Sequence, residues 1–364
     1  MARTIAVVTG SRAEWGLLRT VAAAVAARRE LALRVVVAGA HLVSGTWRDV
    51  QRDGYDVAAK VPLQRKGAAG RWADAAAVGR GVAGFAKVFE AMRPDVVLVL
   101  GDRVEVLAAA TAAAVGGLRV AHLHGGDRAE GVADESMRHA VSKLAHLHFP
   151  ATALSRRRLI RMGEDPRRIW AVGSPAADGL QDVQPWADPA PPTVLVMQHP
   201  IGGSDEEERA WMAGTLAGVT DVAGAVLFAP NGDPGAAGVW AALREVDPGL
   251  GHITQHLPRD RFLPLLAGSA AIVGNSSAGL IEAGVLRVPC VNVGPRQGGR
   301  EHGTNVVHCG YGRSSVAAAL RRALRMDRRR IRHPFGPGDT GRRVAEVLVT
   351  VDLSAVPVRK RNAY

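Results

Sequence analysis

The stretch "DVVLVLGDRVEVLAAATAAAVG", Asp95 to Gly116, places an unbroken apolar run directly before a polar turn and an alanine-rich segment. A continuous apolar run rich in valine is typical of a strand that is buried on both faces, as in a parallel sheet. The alanine-rich segment after the turn predicts a helix. The stretch therefore predicts one strand–turn–helix unit of an α/β fold, with Asp102 and Arg103 in its turn.

Similar strand-like runs recur through both halves of the chain. They read, in order, "TIAVVTG", "LRVVVAG", "LRVAHLHGG", "RIWAVGSP", "TVLVMQHP", "AVLFAPN", "AAIVGNS" and "VPCVNVG", with helical segments between them. Alternation of this kind predicts doubly wound α/β domains.

One segment interrupts the alternation. Residues 182–192, "DVQPWADPAPP", contain four prolines and no apolar periodicity, which is typical of a linker. We therefore predict two Rossmann-like domains, residues 1–181 and 193–345, facing each other across a cleft. Residues 346–364 are predicted to form a C-terminal tail that packs back on the first domain.

Length and charge exclude several classes of protein. At 364 residues the chain can bury a core in each of two domains. Its formal net charge of +12 comes almost entirely from arginines spread along the chain, because only five residues are lysine. The aromatic content of 4% leaves little for stacking on bases. We therefore expect an anionic small-molecule ligand, steered inward by the basic surface, and no nucleic acid.

Composition also bears on the compartment. No apolar run reaches the roughly 18 residues of a membrane helix, and "MARTIAVVTGSR" lacks the layout of a signal peptide. Cys290 and Cys309 are too few for a disulfide framework or a metal site, and Cys290 is predicted to be a buried thiol. We expect a cytoplasmic protein without membrane contact.

The turns that follow the strands are the predicted ligand site. In open parallel sheets, ligands bind beyond the carboxyl ends of the strands, where helix N-termini also point. Here these turns are rich in Gly, Ser, His, Asp and Arg, while the strands before them are almost purely apolar. Polar turns on both domains indicate a cleft between the domains.

The turn "GNSSAGLIEAG", Gly274 to Gly284, has two readings. Ser276 and Ser277 lie at a predicted helix start, where backbone N–H groups and two hydroxyls can bind a diphosphate. Glu282 follows nearly two turns later and could accept both hydroxyls of a ribose. In the other reading, Ser276 is only an N-cap.

Two turns of the first domain carry further candidates. "TGSRAEWG" lacks the G-x-G-x-x-G fingerprint, but Arg12 at its helix start can hold phosphate as a fork, or lie on the surface. In "GDRVE", Asp102 directly follows a buried strand and is a functional candidate. Glu105, in the first helical turn, is interpreted as compensating the helix dipole.

The stretch "HLHGGDRAEGVADESMRHA" is the densest in polar residues. N-capping explains Asp134, and an i,i+4 pair explains Arg138, but neither explains the proximity of His122, His124, Asp127 and Glu130. No other cluster supplies matching metal ligands, so we do not expect a metal. In the second domain, His199 of "VMQHP" ends a strand and can donate to phosphate or move protons.

Together, in this order, these residues resemble the hydrolysing UDP-N-acetylglucosamine 2-epimerases of sialic-acid-type sugar biosynthesis. The resemblance runs from about Ile5 to Val344. It rests on "SRAEWGLL", "GAHL", "GDRVEVLAAA", "HLHGGD", "DESMRHAVSKLAHLHF", "QHP", "HLPRDRF", "GNSSAGLIEA", "RQGGREHGTNV" and "GPGDTG". Each motif is weak alone, but ten in sequence order are specific.

The resemblance implies a fold similar to the GT-B glycosyltransferases, with a UDP-sugar between two Rossmann-like domains, usually in an oligomer such as a homodimer or homotetramer. It implies no redox cofactor and no metal. Residues matched to substrate and nucleotide binding are Arg12, Arg103, Ser276, Ser277, Gly279, Glu282, Arg296 and Arg300. Residues matched to catalysis are Asp102, His124, Asp134, Glu135 and His199.

The family reaction eliminates UDP across C1–C2 of the sugar to give a 2-acetamidoglucal, and water then adds to release N-acetylmannosamine. One departure from the family pattern concerns its acid–base residues. Many relatives carry glutamate where this chain has His124, while others carry histidine.

Three other functions share the architecture. A GT-B glycosyltransferase has the same nucleotide end, although the carboxylates Asp102, Asp134 and Glu135 favour the epimerase. A related epimerase could act on a modified UDP- or GDP-sugar. A catalytically inactive binding protein is disfavoured by the intact polar turns.

Overall fold

The computed structural model describes residues 2–67, 70–128, 135–186, 193–231, 233–251, 253–254 and 257–363. These form two compact units. The first comprises the described residues up to Asp127, those from Glu135 to Asp178, and those from Gly336 onward. The second consists chiefly of Gly179–Phe335.

The first unit is built around a parallel sheet with the strand order β3-β2-β1-β4-β5-β6 among the described residues. The strands are β1 Arg3–Thr9, β2 Leu31–Ala38, β3 Val57–Val61, β4 Val96–Leu100, β5 Arg119–Leu123 and β6 Leu147–Phe149. The helices are α1 Arg12–Ala26, α2 Ala40–Ser44, α3 Trp47–Arg52, α4 Arg71–Met92, α5 Val104–Val115, α6 Glu135–Leu144, α7 Ala153–Arg161 and α14 Thr340–Thr350.

Both faces of this sheet are buried. Ile5 and Val7 of β1 pack into one apolar cluster with Leu98, while the alternate residues Ala6 and Val8 pack into a second cluster on the opposite face. Side chains alternate across a strand, so two apolar faces require a continuous apolar run. This is why "TIAVVT" and "VVLVL" contain no polar alternation.

The second unit repeats the architecture, with the parallel order β12-β11-β10-β7-β8-β9 among its described residues. Its strands are β7 Val194–Met197, β8 Ala225–Phe228, β9 Ile253–Thr254, β10 Ala271–Gly274, β11 Cys290–Val293 and β12 Val306–Cys309. Its helices are α8 Asp205–Thr220, α9 Ala236–Arg244, α10 Arg259–Gly268, α11 Ser277–Leu280, α12 Glu282–Val285 and α13 Arg313–Leu324.

The two sheets have equivalent topologies. In each, the chain moves outward on one side of the first strand and then returns to its other side, so the strand order reverses between β1 and β4, and between β7 and β10. Ligands of doubly wound sheets bind at this reversal. The predicted fold class, α/β with two Rossmann-like doubly wound domains, is confirmed.

One predicted domain boundary is wrong. Residues 336–345 belong to the first unit, because α14 packs on α1 and adds Val344, Ala345 and Leu348 to the core around Trp15. The N–H groups of Thr340 and Gly341 also donate to the Asp178 carboxylate, at 2.8 Å each. An amphipathic helix shows which face is buried but not which domain buries it.

The C-terminal residues after α14 also lie on the first unit. Arg119 donates to the carbonyl of Val356 at 3.0 Å, and Ala363 donates to the carbonyl of Gly163 at 2.8 Å. Of the predicted linker, residues 187–192 lie outside the described part of the chain. The run "RIWAVGSP" forms one bridge, from Ile169 to His148, instead of a regular strand.

In the described parts of the chain, no helix combines the length and the apolar character that crossing a bilayer requires.

Candidate active site

In the first unit, Asp102 lies at the strand reversal and is held by a buried arginine. It follows β4 by two residues, and its carboxylate forms an ion pair with Arg138 of α6. Arg138 is 4% exposed, whereas the Asp102 side chain retains 17% of its exposure. Two elements therefore fix this carboxylate while part of it still reaches solvent.

Arg12 and Arg103 lie in the two turns beside this reversal. Arg12 is the first residue of α1, after the N-cap Ser11, and its Nε lies 3.3 Å from Asp49 Oδ2. Its side chain is half exposed. Arg103 is also half exposed, and its Nε donates to Glu105 at 3.4 Å.

Glu105 lies in the first turn of α5, as predicted, and its carboxylate is buried. Its side chain has no exposed area and fills the space over Gly10 and Gly39. A Cβ at either glycine would lie within 2.7 Å or 2.3 Å of Glu105. Glu105 also accepts the N–H of Ala40 at 3.4 Å, so it joins the turns after β1, β2 and β4. The sequence could not reveal this glycine-lined space.

A second buried carboxyl group, Glu14, lies beside Glu105 in the first turn of α1. It accepts the N–H of Gly10 at 2.6 Å. Burial raises the pKa of Glu14 from 4.5 to about 8, and the charge of Glu105 acts in the same direction. Glu14 is therefore a neutral acid at pH 7 and ionises as the pH rises through 8.

The raised pKa of Glu14 predicts a pH-dependent stability. Because the folded pKa lies above the unfolded one, the contribution of Glu14 is complete below about pH 4.5 and is lost as the pH rises through 8. Glu14→Gln keeps the shape and cannot ionise, so it should lose less unfolding free energy than the wild type between pH 5 and pH 9. Urea unfolding at both pH values measures this, with exposed Glu30→Gln as the control. Equal losses in wild type and Glu14→Gln would contradict it.

His122, on β5, is a structural residue. It is fully buried, its Nε2–H donates to the carbonyl of Gly101 at 2.8 Å, and Ser142 Oγ lies 3.2 Å from its Nδ1. Burial lowers the pKa of His122 to about 3, so the imidazole stays neutral. It ties the end of β4 to β5 and α6.

His124 lies just beyond β5 and is held at both ring nitrogens. Its Nδ1 lies 3.0 Å from Asp127 Oδ2, and its Nε2 lies 3.1 Å from Ser174 Oγ. Asp127 in turn accepts a hydrogen bond from Ser155 Oγ at 2.7 Å. The backbone of His124 is left-handed, with φ of 61°, which is costly outside glycine. To contact a substrate through Nε2, His124 must first leave Ser174.

The acidic pair predicted at the start of α6 is only partly described. Asp134 lies outside the described residues. Glu135 is the first residue of α6 and lies 3.5 Å from His139, one turn later. Its carboxylate is partly exposed, one turn before Arg138.

In the second unit, His199 lies beyond β7, again at the strand reversal. Its Nδ1 accepts the N–H of Asn231 at 3.2 Å, which leaves Nε2 as the protonated nitrogen of the neutral ring. Burial, with a contribution from the Arg296 guanidinium, lowers the pKa of His199 to about 4. His199 is therefore a neutral N–H donor at pH 7.

The arginines of "RQGGREHG" lie near this histidine. Arg296 Nη1 donates to the carbonyl of Asn275 at 3.3 Å, and its Nη2 lies 3.7 Å from Asp233. Arg300 donates to Gln297 Oε1 at 2.9 Å, and Gln297 donates to the same Asn275 carbonyl at 2.8 Å. The structure thus brings His199, Arg296 and Arg300 together through Asn275 and Gln297.

The stretch 274–284 forms two short helices rather than one. Ile281, with φ and ψ of −95° and −71°, separates α11 from α12. Ser276 is the N-cap of α11 and accepts the N–H of Ala278 at 3.3 Å. Capping uses the oxygen of Ser276, so its O–H can still donate to an anion, as can that of Ser277.

Glu282 begins α12 and is nearly buried. Its Oε1 accepts a hydrogen bond from Arg259 Nη1 at 3.0 Å, and its side chain is 11% exposed. Gly279, in contrast, lies against the sheet. A Cβ there would lie 2.6 Å from Cys290 Sγ, so Gly279 lets α11 pack closely on β11. Cys290 is buried, as predicted.

Of metal sites, the described residues contain no group of three or more His, Cys, Asp and Glu side chains that could hold an ion.

Comparison with known proteins identifies the family. The family described as UDP-N-acetylglucosamine 2-epimerase matches residues 23–349. This chain belongs to that family. It is 35% identical, over the whole of both chains, to a protein of Legionella pneumophila named UDP-N,N'-diacetylbacillosamine 2-epimerase (hydrolyzing). It is 28% identical to a UDP-N-acetylglucosamine 2-epimerase of Neisseria meningitidis, over 99% of this chain and 98% of the other.

A solved structure agrees on the fold. The UDP-GlcNAc 2-epimerase of Neisseria meningitidis bound to UDP-GlcNAc superposes with a TM-score of 0.77 at 15% identity, covering 96% of this chain and 100% of the other. At this identity the likeness establishes the fold of this epimerase-family chain. The family match and the curated relatives confirm the predicted resemblance.

Sequence reasoning did not single out several residues that shape the candidate site. Glu14, Ser174, Asn231, Asn275 and Gln297 each contact a candidate residue or a turn that carries one. A weak signal exists for Asn275, because it directly follows a strand in the quoted "GNSS" turn. For Ser174, 50 residues from His124, the sequence holds no signal.

Proposed function

We propose that this protein is a hydrolysing 2-epimerase of a UDP-N-acetylhexosamine. The proposal rests mainly on the different chemistry of the two strand reversals. The first unit presents a fixed carboxylate, Asp102. The second presents a neutral donor, His199, and a cationic donor, Arg296. A carboxylate suits a sugar ring that gains positive charge. Donors suit a diphosphate that gains negative charge.

In the proposed first step, the second unit holds UDP while C1–O breaks and its electron pair leaves with the diphosphate. Arg296, the Nε2–H of His199 and the hydroxyls of Ser276 and Ser277 stabilise that charge where it accumulates. Glu282 accepts hydrogen bonds from the ribose hydroxyls. Arg300 supports the loop that carries Arg296, through its hydrogen bond to Gln297.

The sugar then loses its C2 proton. That proton is poorly acidic, so its removal requires a positioned base and C1–O cleavage that runs ahead. Asp102 stabilises the electron-poor C1, and the acidic residues Asp134 and Glu135, with His124, supply proton transfer at C2. Water adds its hydroxyl at C1 and a proton returns to C2 from the opposite face. The products are UDP and, from UDP-N-acetylglucosamine, N-acetylmannosamine.

A second sugar is a specific candidate. The relative that shares 35% identity over the full length is named for UDP-N,N'-diacetylbacillosamine, whereas the relative named for UDP-N-acetylglucosamine shares 28%. This difference favours a 2,4-diacetamido sugar with the same elimination. We propose a cytoplasmic homo-oligomer in either case.

Incubation with a panel of UDP- and GDP-sugars tests the proposal. Proton and phosphorus NMR should detect free UDP and a C2-inverted sugar from one of the two N-acetylated substrates, in water and without an acceptor. UDP release that requires an added acceptor would instead indicate a glycosyltransferase. Binding by calorimetry without turnover of any sugar would indicate a binding protein.

Glu282 should contribute to nucleotide affinity. Glu282→Gln should weaken UDP binding by about 1–3 kcal/mol, the scale of a hydrogen bond to a charged group. Calorimetry with UDP measures this, and Asp260→Asn, an exposed carboxylate on α10, is the control. Because Glu282 also pairs with Arg259, Arg259→Met removes this ion pair while Glu282 stays in place. Unchanged UDP affinity in Glu282→Gln would remove Glu282 from the ribose site.

A further inference from the structure

We propose that Asn275 is the positioning residue of the nucleotide site: its side chain sets the orientation of His199, and its carbonyl sets that of Arg296 and Gln297. The inference rests on the proposed function, because it assigns these residues to the diphosphate. Asn275 is 1% exposed and so acts through its neighbours, not through contact with the substrate.

The sheet delivers Asn275 to the end of β7. Gly274, with φ of 134°, lies so close to β7 that a Cβ would be 2.1 Å from the carbonyl of Met197. The N–H of Asn275 donates to the same carbonyl at 3.1 Å. A larger residue than glycine at 274 would hold Asn275 away from His199.

The carboxamide of Asn275 closes a two-bond ring with the backbone of His199. Oδ1 accepts the His199 N–H at 2.7 Å, and Nδ2 donates to the His199 carbonyl at 2.7 Å. One group must be an acceptor and the other a donor, and the amide of asparagine supplies both without a change of protonation. The backbone on both sides of the His199 Cα is thereby fixed, and Asn231 fixes the ring through Nδ1.

The main chain of Asn275 holds the cationic loop. Its carbonyl accepts from Arg296 at 3.3 Å and from Gln297 at 2.8 Å, and Gln297 binds Arg300. A shift of Asn275 therefore moves His199 and Arg296 together. His199 and Arg296, which both donate to the diphosphate in the proposed function, are therefore positioned by the same residue.

The test compares two matched substitutions. Asn275→Asp replaces a buried donor with a carboxylate that faces the carbonyl of His199. Asn305→Asp makes the same change at a buried asparagine that donates to the carbonyls of Gly279 and Val288, away from His199 and Arg296. Both place a carboxyl group at a buried position of the same unit, so only an effect beyond the control reports positioning.

The first readout is the tautomer of His199 in the ligand-free protein, by NMR of ¹⁵N-histidine, with the signal assigned by its loss in His199→Ala. Wild type should show an unprotonated Nδ1 and a protonated Nε2 at pH 7. Asn275→Asp should shift these signals, and Asn305→Asp should not. A wild-type His199 protonated at Nδ1, or signals unchanged in a folded Asn275→Ala, would overturn the proposal.

The second readout is UDP affinity by calorimetry. Asn275→Asp should weaken it by about 10- to 100-fold more than Asn305→Asp does, the loss expected when a hydrogen bond to a charged group is misplaced. Asn275→Ala is measured in both readouts as well, because a protonated carboxylic acid could keep both hydrogen bonds to His199, whereas alanine can make neither. If the Asn275 variant shifts the His199 signals but the wild type itself binds no UDP, positioning is supported and the nucleotide function is refuted. UDP binding that is equal in both variants would refute positioning alone.

Discussion

Replacing Asp102 with asparagine should lower turnover by about 10²–10⁴-fold, the typical contribution of a group engaged in acid–base or charge-stabilising catalysis. The affinity for UDP should change little. Asn keeps the shape and removes the charge, so the loss reports electrostatics rather than packing. Asp102 is fixed by β4 and by Arg138, which makes its position independent of a mobile loop.

The Asp102→Asn result is informative because the turnover rate should fall while the affinity for UDP stays nearly unchanged. An interaction made mainly in the transition state lowers the rate while the binding of the product nucleotide is preserved. Asp95, at the opposite end of β4, accepts the N–H of Thr4 and is exposed, so Asp95→Asn is the matched control. Steady-state release of UDP measures the rate, and calorimetry measures UDP binding. A wild-type rate in Asp102→Asn would remove Asp102 from the mechanism.

His199→Ala should also depress turnover, by about 10²–10⁴-fold, and unlike Asp102→Asn it should weaken UDP binding as well. The substitution removes the Nε2–H donor that Asn231 leaves protonated. Burial lowers the pKa of His199 to about 4, so its imidazole is a neutral donor in the ligand-free protein at pH 7.

A conservative variant separates the two roles of His199. Gln can place one N–H near the position of Nε2 but cannot carry an imidazole proton. His199→Gln should therefore retain more UDP affinity than His199→Ala while the rate remains low. His308→Ala is the control, since His308 lies on β12 and contacts His302 and Asn292. Near wild-type turnover in His199→Ala would show that His199 only ends a strand.

Much of the fold could be predicted because burial on both faces leaves a direct trace in the sequence. The runs at β1, β4, β7 and β10 are apolar without alternation, and each is followed by a polar turn. The strands at the sheet edges are shorter or less apolar than the central strands, so the pattern did not single them out; they are β3, β6, β9 and β12. The domain that buries α14 could not be predicted, because that depends on the tertiary partner Trp15.

The candidate site could be predicted where one residue has one role, and not where the role depends on a distant partner. Asp102 and His199 follow buried strands, so topology alone brings them to the strand reversals. The burial of Glu105 could not be predicted without knowing the space over Gly10 and Gly39. The packing role of Gly279 could not be predicted without its contact with Cys290. The contact between Asn275 and His199 joins residues that are 76 positions apart in the sequence.

Turnover in deuterated water tests the central claim, elimination followed by hydration, most directly. UDP-N-acetylglucosamine and UDP-N,N'-diacetylbacillosamine are each incubated with the enzyme, and the products are analysed by NMR and mass spectrometry. The account predicts free UDP and a C2-inverted free sugar that carries one deuterium at C2, because the original proton is lost and solvent supplies its replacement. A released sugar that retains its C2 hydrogen and its original configuration would contradict the account, as would a C2-inverted sugar that is still attached to UDP.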